Sequence, residues 1–215
     1  MGKFSEGIFG NFYGKVGRVV GSSWRGIDYL RSMPKANKNR QLSAKQLEQQ
    51  ARFALMTGFL NPLRDVLDIG YRNYAVGQTT YNSALSVNIV NGISGVYPDL
   101  TVDYSLIQLS RGLLPGGINP LASAVAGAKI SYSWTDNTGK GKAKANDTVI
   151  VLAFCSEDDQ AVYNAGSATR ADESLELELP ADFAGKDVET YIVWAATENR
   201  AVSATAYTGK LTVLD

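Results

Sequence analysis

Histidine is absent from this chain, and cysteine occurs once, at Cys155. Without an imidazole the Ser-His-Asp and Cys-His arrangements are excluded, as are the common zinc sites, because each needs a side chain that exchanges a proton or binds metal near neutral pH. Carboxylate or lysine chemistry stays open, but the weight shifts away from enzymes, and no catalytic residue, metal or cofactor is assigned. A single cysteine forms no intrachain disulfide. Its setting, Val151-Leu152-Ala153-Phe154-Cys155, reads as a strand, so the thiol is expected as a small buried hydrophobe without a base to activate it.

Long apolar runs are missing too. No stretch approaches the roughly 18 to 20 residues that a bilayer-spanning helix needs. The start, Met-Gly-Lys-Phe-Ser-Glu, has no apolar signal core, and Glu6 stands where a myristoylation pattern has Ser or Thr. The expectation is a chain that stays in the cytoplasm where it is made or leaves by lysis. There is also no overall charge of either sign, with 21 basic and 21 acidic residues. That balance hides a polarity. Residues 1–40 carry eight basic side chains, including Lys15, Arg18, Arg25 and Arg31, against Glu6 and Asp28, a net of +6; the other 175 residues therefore carry −6. Opposite charges on two parts of one chain steer copies together within the reach of salt screening.

What is present is an ordinary globular composition, 45% apolar and 20% charged over 215 residues. Three zones follow one another: residues 1–40, 41–100 and 101–215. In the first, Gly2, Gly7, Gly10, Gly14, Gly17, Gly21 and Gly26 are interleaved with aromatic and basic residues. Lys15–Val20 and Trp24–Arg31 flank a turn-rich Gly21-Ser22-Ser23, which predicts a β-hairpin. A lone hairpin is marginal in water, so the arm is expected to pack against something, with Val16, Val19, Trp24, Arg25, Ile27 and Tyr29 as its interface residues.

The second zone is helical. Ser43 and Gln46 form a capping-box pattern, and Leu47, Ala51, Ala54, Leu55 and Phe59 recur at helical spacing, predicting a helix over residues 44–60. Asn61-Pro62 reads as the cap and first turn of a second short helix to about Asp68, and a third candidate runs from Thr80 to about Asn91. The third zone alternates as strands do. Candidates are Val102–Arg111, Ala128–Trp134, Thr148–Cys155, Gln160–Tyr163, Ser174–Leu179, Val188–Thr197 and Ala201–Leu214. Turn residues such as Asp136-Asn137-Thr138-Gly139 separate them, and seven short strands so spaced predict an antiparallel sandwich.

A strand ending in Trp134, the Leu-x-Leu-x-Leu-Pro run from Leu175 to Pro180 and then Tyr191-Ile-Val-Trp-Ala resemble a fibronectin type III or related immunoglobulin-like domain over residues 101–215. That resemblance implies that Tyr191 is a tyrosine corner, its hydroxyl bonded to backbone upstream. A second resemblance spans nearly the whole chain. Gly-Lys-Val-Gly-x-Val-Val-Gly-Ser-Ser-Trp-x-Gly-Ile-Asp-Tyr (Gly14–Tyr29), Gln41 to Phe53 and the Tyr-Pro-Asp at Tyr97 are similar to an uncharacterised Bacteroidota family of unknown function, found in genomes and phage-like regions. Residues 43–53 also resemble an element of some phage structural proteins, without its Pro and one Arg. The resemblance supplies no catalytic residues.

Three motifs have competing readings. Gly14–Gly21 looks phosphate-friendly, but a P-loop runs from strand to helix, and this stretch reads as a hairpin. Glu157, Asp158 and Asp159 lack the ligand spacing of a calcium loop and read as a solvated turn. Lys140, Lys142 and Lys144 read as a basic hairpin tip. The expectation from all of this is a mainly β chain with a short helical segment: a β-hairpin arm, helices, then a fibronectin III-like sandwich. Its expected function is non-enzymatic self-assembly as a phage virion component, tail- or capsid-associated, with copies of itself and other virion proteins as partners. The alternative is a binding module for nucleic acid or glycan, using Trp24, Arg25 and Tyr29 on the arm or the sandwich loops.

Overall fold

Two tight turns organise residues 12–33 of this computed structural model, which describes residues 3–4, 12–33, 41–198 and 200–215. Strands β1 (Lys3–Phe4), β2 (Phe12–Val16), β3 (Val19–Trp24) and β4 (Ile27–Ser32) form one antiparallel sheet in chain order. Val16 pairs with Val19 across Gly17-Arg18, and Trp24 pairs with Ile27 across Arg25-Gly26. Arg25 and Gly26 have φ of 51° and 81°, both positive, as a type I′ hairpin turn requires. The arm is thus two consecutive hairpins, and the expected turn centre Gly21-Ser22-Ser23 is the middle of its central strand. Glycine is required at position 21 for a different reason. A Cβ there would stand 2.0 Å from the Phe12 carbonyl oxygen, so the backbone of the neighbouring strand occupies the side-chain space.

The chain divides into two compact units, Met1–Ser43 and Ala44–Asp215. The second unit opens with helix α1 (Ala44–Leu60), a 3-10 turn over Asn61–Leu63, and α2 (Arg64–Gly70). Asn61 does not cap this turn; Leu60 occupies the cap position and the chain continues from one helix into the next. Helix α3 (Thr80–Asn91) starts at Thr79, whose hydroxyl accepts from the Asn82 N–H at 3.1 Å. A hairpin of β5 (Ile93–Val96) and β6 (Asp99–Val102) follows.

The remaining strands are β7 (Ile118–Val125), β8 (Lys129–Thr135), β9 (Thr148–Cys155), β10 (Gln160–Thr169), β11 (Ser174–Glu178), β12 (Asp187–Ala195) and β13 (Ala206–Thr212). They form a four-stranded sheet in the order β10-β9-β12-β13 and a three-stranded sheet in the order β11-β8-β7. Lettered A, B, C, C′, E, F and G in chain order, these are sheets C′-C-F-G and A-B-E, the strand arrangement of a fibronectin type III sandwich. The first sandwich strand is Ile118–Val125 and not Val102–Arg111, of which only Val102 lies in a strand. Pro120 and the small residues Ala122, Ser123 and Ala124 weaken the β pattern there, and Pro is tolerated because β7 is an edge strand.

Strand β9 shows how the layers are built. Val149, Val151, Ala153 and Cys155 face a core shared with Ile130, Tyr132, Trp134, Leu177, Phe183, Ile192 and Trp194. Ile150, Leu152 and Phe154 face the other way, into a core with Met56, Phe59, Leu60, Leu63, Leu67, Leu109, Tyr191 and Val193. The four-stranded sheet is therefore covered on both faces, by the second sheet and by the helices. A strand buried on both faces reads as a continuous apolar run. Phe59 packs edge-on against Phe154, with ring centroids 4.8 Å apart. The helical zone and the sandwich share a core, so residues 41–100 are not set apart from residues 101–215.

One end of the sandwich is fastened by a buried ion pair. Arg170, fully buried, donates to Asp147 Oδ2 from Nε at 3.1 Å and from Nη2 at 2.9 Å. It also donates to Asn137 Oδ1 and, at 2.8 Å, to the Pro115 carbonyl. Its own carbonyl accepts from Trp134 Nε1 at 2.8 Å. Three connections between strands are thereby tied to one guanidinium.

Candidate assembly interface

Every residue of β4 is exposed, and among the described residues the strand ends its sheet, bonding to β3 on one side only. The apolar side chains stand out on both faces. By the register of the pairs, Trp24, Ile27 and Tyr29 share one face with Val20, Lys15 and Arg31. Val16 and Val19 pair on the opposite face, with Leu30 on the same side opposite Gly21. Ile27 is 68% exposed, Leu30 63% and Trp24 52%. An unpaired strand edge presents a row of backbone donors and acceptors, and a flat apolar edge is a template for another chain. No proline, glycine or bulge interrupts Ile27–Ser32.

The six residues expected at the interface are therefore divided. Trp24, Ile27 and Tyr29 are brought together, Val16 and Val19 lie on the reverse face, and Arg25 occupies the turn beside Trp24. Leu30, not singled out from the sequence, is among the most exposed apolar residues of the arm; its alternation with Tyr29 is the signal that marks it. Tyr13 crosses the sheet and donates from its hydroxyl to Asp28 Oδ1 at 2.9 Å. That hydrogen bond raises the Tyr13 pKa, since losing the proton would leave two anions in contact.

Tyr191 occupies β12, and its hydroxyl donates to the Tyr104 carbonyl at 2.8 Å, 87 residues upstream. This is not the corner of its own sandwich. The bond joins the four-stranded sheet to the segment that leads out of the helical layer, and burial pushes the Tyr191 pKa upward.

The other motifs settle into the fold. Gly14–Gly21 spans the first hairpin and leads into no helix. Asp158 in the β9–β10 turn accepts from Lys186 Nζ at 2.6 Å, which holds its carboxyl below the usual range. Among the described residues no three His, Cys, Asp or Glu side chains are placed to hold a metal ion. Lys144 pairs with Glu198, while Lys142 lines a cleft of about 360 Å³ with Asn73, Tyr74, Leu113 and Val202. A second cleft, of about 250 Å³, is lined by Ile69, Arg72, Thr148 and Thr197 among others. Neither cleft is lined by a carboxylate. No helix among the described residues is long and apolar enough to cross a membrane.

A family model described as a family of unknown function (DUF6266) matches residues 11–209. The chain belongs to the DUF6266 family. The match takes in the described strands of the arm from Phe12 onward, the helices and most of the sandwich. No curated protein matches this DUF6266 chain. Among solved structures, the crystal structure of chicken CNTN1 FN1-FN3 domains is similar at 6% identity and a TM-score of 0.38, over 49% of this chain. The present chain spans 36% of that structure's length. A likeness of that size carries no argument; the sandwich is assigned from its own strand order.

Proposed function

We propose that this protein is a non-enzymatic structural protein that self-assembles, and that its N-terminal sheet is the contact through which copies join. The observation that carries this reading is the open edge of β4, six exposed residues with apolar side chains on both faces. Pairing of that edge with another chain supplies main-chain hydrogen bonds, and Trp24, Ile27, Tyr29 and Leu30 supply the anchors. The setting we propose is a phage virion, as a tail- or capsid-associated component made in a bacterial cytoplasm. That part rests on the resemblance of residues 43–53 to a phage structural element and of nearly the whole chain to a Bacteroidota family found in genomes and phage-like regions. The test is light scattering after size exclusion on the full chain and on residues 35–215, which retain the whole second unit. The full chain forms a defined oligomer and the truncated chain is monomeric; a truncated chain that assembles undiminished overturns the reading.

A second reading has one observation in its favour: Lys15 and Arg31 share a face with Trp24 and Tyr29. Cations that track phosphates beside rings that stack bases form a single-stranded nucleic-acid platform. On that reading, removal of residues 1–34 abolishes binding of a labelled oligonucleotide and leaves the oligomeric state unchanged.

A further inference from the structure

We infer that the acceptor for the arm is the open edge of β11 in the sandwich of a second copy. This rests on the assembly reading above and names the surface that completes it.

The charge of the two units decides which pairings of copies are favoured. Residues 1–43 carry a net of +6 and residues 44–215 a net of −6. Two arms approaching edge to edge repel, two sandwich units repel, and an arm approaching a sandwich unit is drawn in from about a Debye length, roughly 8 Å at physiological salt. The arm's partner is therefore the second unit of another copy and not another arm.

The two sandwich sheets of that second unit end in four strands among the described residues, and three of these are blunted. β7 carries Pro120 and a register break between Ile118 and Leu121. β10 has a bulge between Ala165 and Ala168, with Gly166 at a φ of 93°. β13 lies beside β7, and its register with β12 shifts at Thr190–Tyr191. Proline, bulges and coverage are the devices by which edges avoid further pairing. β11 has neither proline nor bulge, and it touches β10 less than β13 touches β7. Ser174–Glu178 holds an unbroken register with β8 and ends its sheet on the other side. Its five residues match the six of β4.

The same strand is the densest acidic stretch at any of these edges. Glu176 and Glu178 point away from the core, while Leu175 and Leu177 point toward it. Asp172 and Glu173 lie immediately before the strand. Among the described residues Lys129 on β8 is the one cation paired with the two strand glutamates, at 4.0 Å and 3.0 Å, and Glu178 keeps 78% of its side chain exposed. Outward glutamates repel a second β11, which prevents the sandwich from pairing with its own kind, and they admit a strand that brings cations. β4 brings Arg31 within the strand and Arg25 at its start. With Arg31 on the glutamate side, alternation sends Leu30 toward the flank of Leu175 and Leu177, the side on which an exposed apolar residue gains by burial.

Such a contact joins two different surfaces, so each copy both gives an arm and receives one. Head-to-tail contacts of this kind generate a ring where the rotation closes and a filament where it does not. The arm's length and its own turn set which of the two forms.

The experiment is an exchange of charge between chains, read as mass by light scattering. Arg25→Glu/Arg31→Glu and, in a separate chain, Glu176→Lys/Glu178→Lys are each expected to run at the monomer mass of 23.1 kDa. Mixed in equal amounts, each arm faces an edge of opposite sign, and the oligomer returns. Far-UV circular dichroism and the thermal midpoint of each variant check that it folds, and Glu176→Gln/Glu178→Gln gives a milder second variant with partial loss of the oligomer. Undiminished assembly of the glutamate variants, or a mixture that stays monomeric, overturns the β11 assignment. If removal of residues 1–34 still abolishes assembly in that case, the arm reading stands and only its acceptor is wrong; if the truncated chain assembles, the arm reading falls with it.

Discussion

Replacing Asp147 by alanine strands the most deeply buried cation among the described residues. Arg170 and Asp147 are both out of solvent, and one oxygen of Asp147 accepts from Arg170 Nε and Nη2 and from the Lys144 N–H at 2.9 Å. Removing one partner of such a pair leaves an uncompensated charge and costs about 3–5 kcal/mol. The Asn137 and Pro115 acceptors remain and hold the loss toward the lower end of that range. For a unit of this size about 2–4 °C of thermal midpoint accompanies each kcal/mol, so the expected drop is roughly 6–20 °C. Urea unfolding followed by tryptophan fluorescence reports it, because Trp134 and Trp194 are buried in the same region. The double variant Asp147→Leu/Arg170→Met removes both charges and is expected within about 2 kcal/mol of the parent, since well-packed apolar replacements of a buried pair are often neutral or better. A loss below about 1 kcal/mol for Asp147→Ala alone refutes the reasoning.

The remaining expectations concern the layers and the arm. Residues 101–215 alone expose Ile150, Leu152, Phe154, Tyr191 and Val193, and are expected to aggregate or unfold where residues 35–215 are soluble; equal solubility of the two would contradict the shared core. Tyr191→Phe leaves the Tyr104 carbonyl with only the long hydrogen bond from the Ile107 N–H, at 3.4 Å, and costs about 0.5–1.5 kcal/mol in the same urea assay. Gly21→Ala sets a methyl group against the Phe12 carbonyl, so the arm loses its strand signal by NMR while the second unit keeps its unfolding midpoint. Asp158, depressed by its hydrogen bond to Lys186, contributes stability that is present above the unfolded carboxylate pKa of about 3.9 and is lost as pH falls through its lower folded value. Asp158→Asn therefore flattens the acid limb of the stability curve, and an unchanged limb would assign the effect elsewhere.

Much of the fold is legible from local pattern. The α1 periodicity and the alternation of Leu175 and Leu177 each correspond to an observed element because a single neighbour layer dictates which side chains turn inward, and the run Thr148–Cys155 corresponds to β9. The same run also held a signal that strand counting passes over. The uninterrupted apolar runs Val149–Cys155 in β9 and Tyr191–Ala195 in β12 mean burial on both faces, which requires a third layer, and the helices supply it. β7 was hidden by Pro120 and by small residues that an edge strand tolerates. Gly21-Ser22-Ser23 looked like a turn because glycine and serine are turn residues, whereas the position needs glycine for the approach of Phe12.

At the candidate interface the sequence marked the aromatic face and missed the edge. Trp24, Ile27 and Tyr29 are visible as residue types, but that β4 ends its sheet, and that Val16 and Val19 lie behind it, are properties of pairing. The acceptor strand was less visible still. Glu176 and Glu178 read as the solvent side of an ordinary strand, and only the sheet order shows that the strand has an unused edge.

The most direct measurement of the central claim is amide hydrogen exchange on β4 in the assembled full chain and in the same chain diluted to monomer. Alternate amides of Ile27–Ser32 already face β3, and the others point to the open edge. On assembly through strand pairing, the outward amides become protected together and lose that protection on dilution. Outward amides that exchange equally fast in the oligomer and the monomer would contradict assembly through this edge.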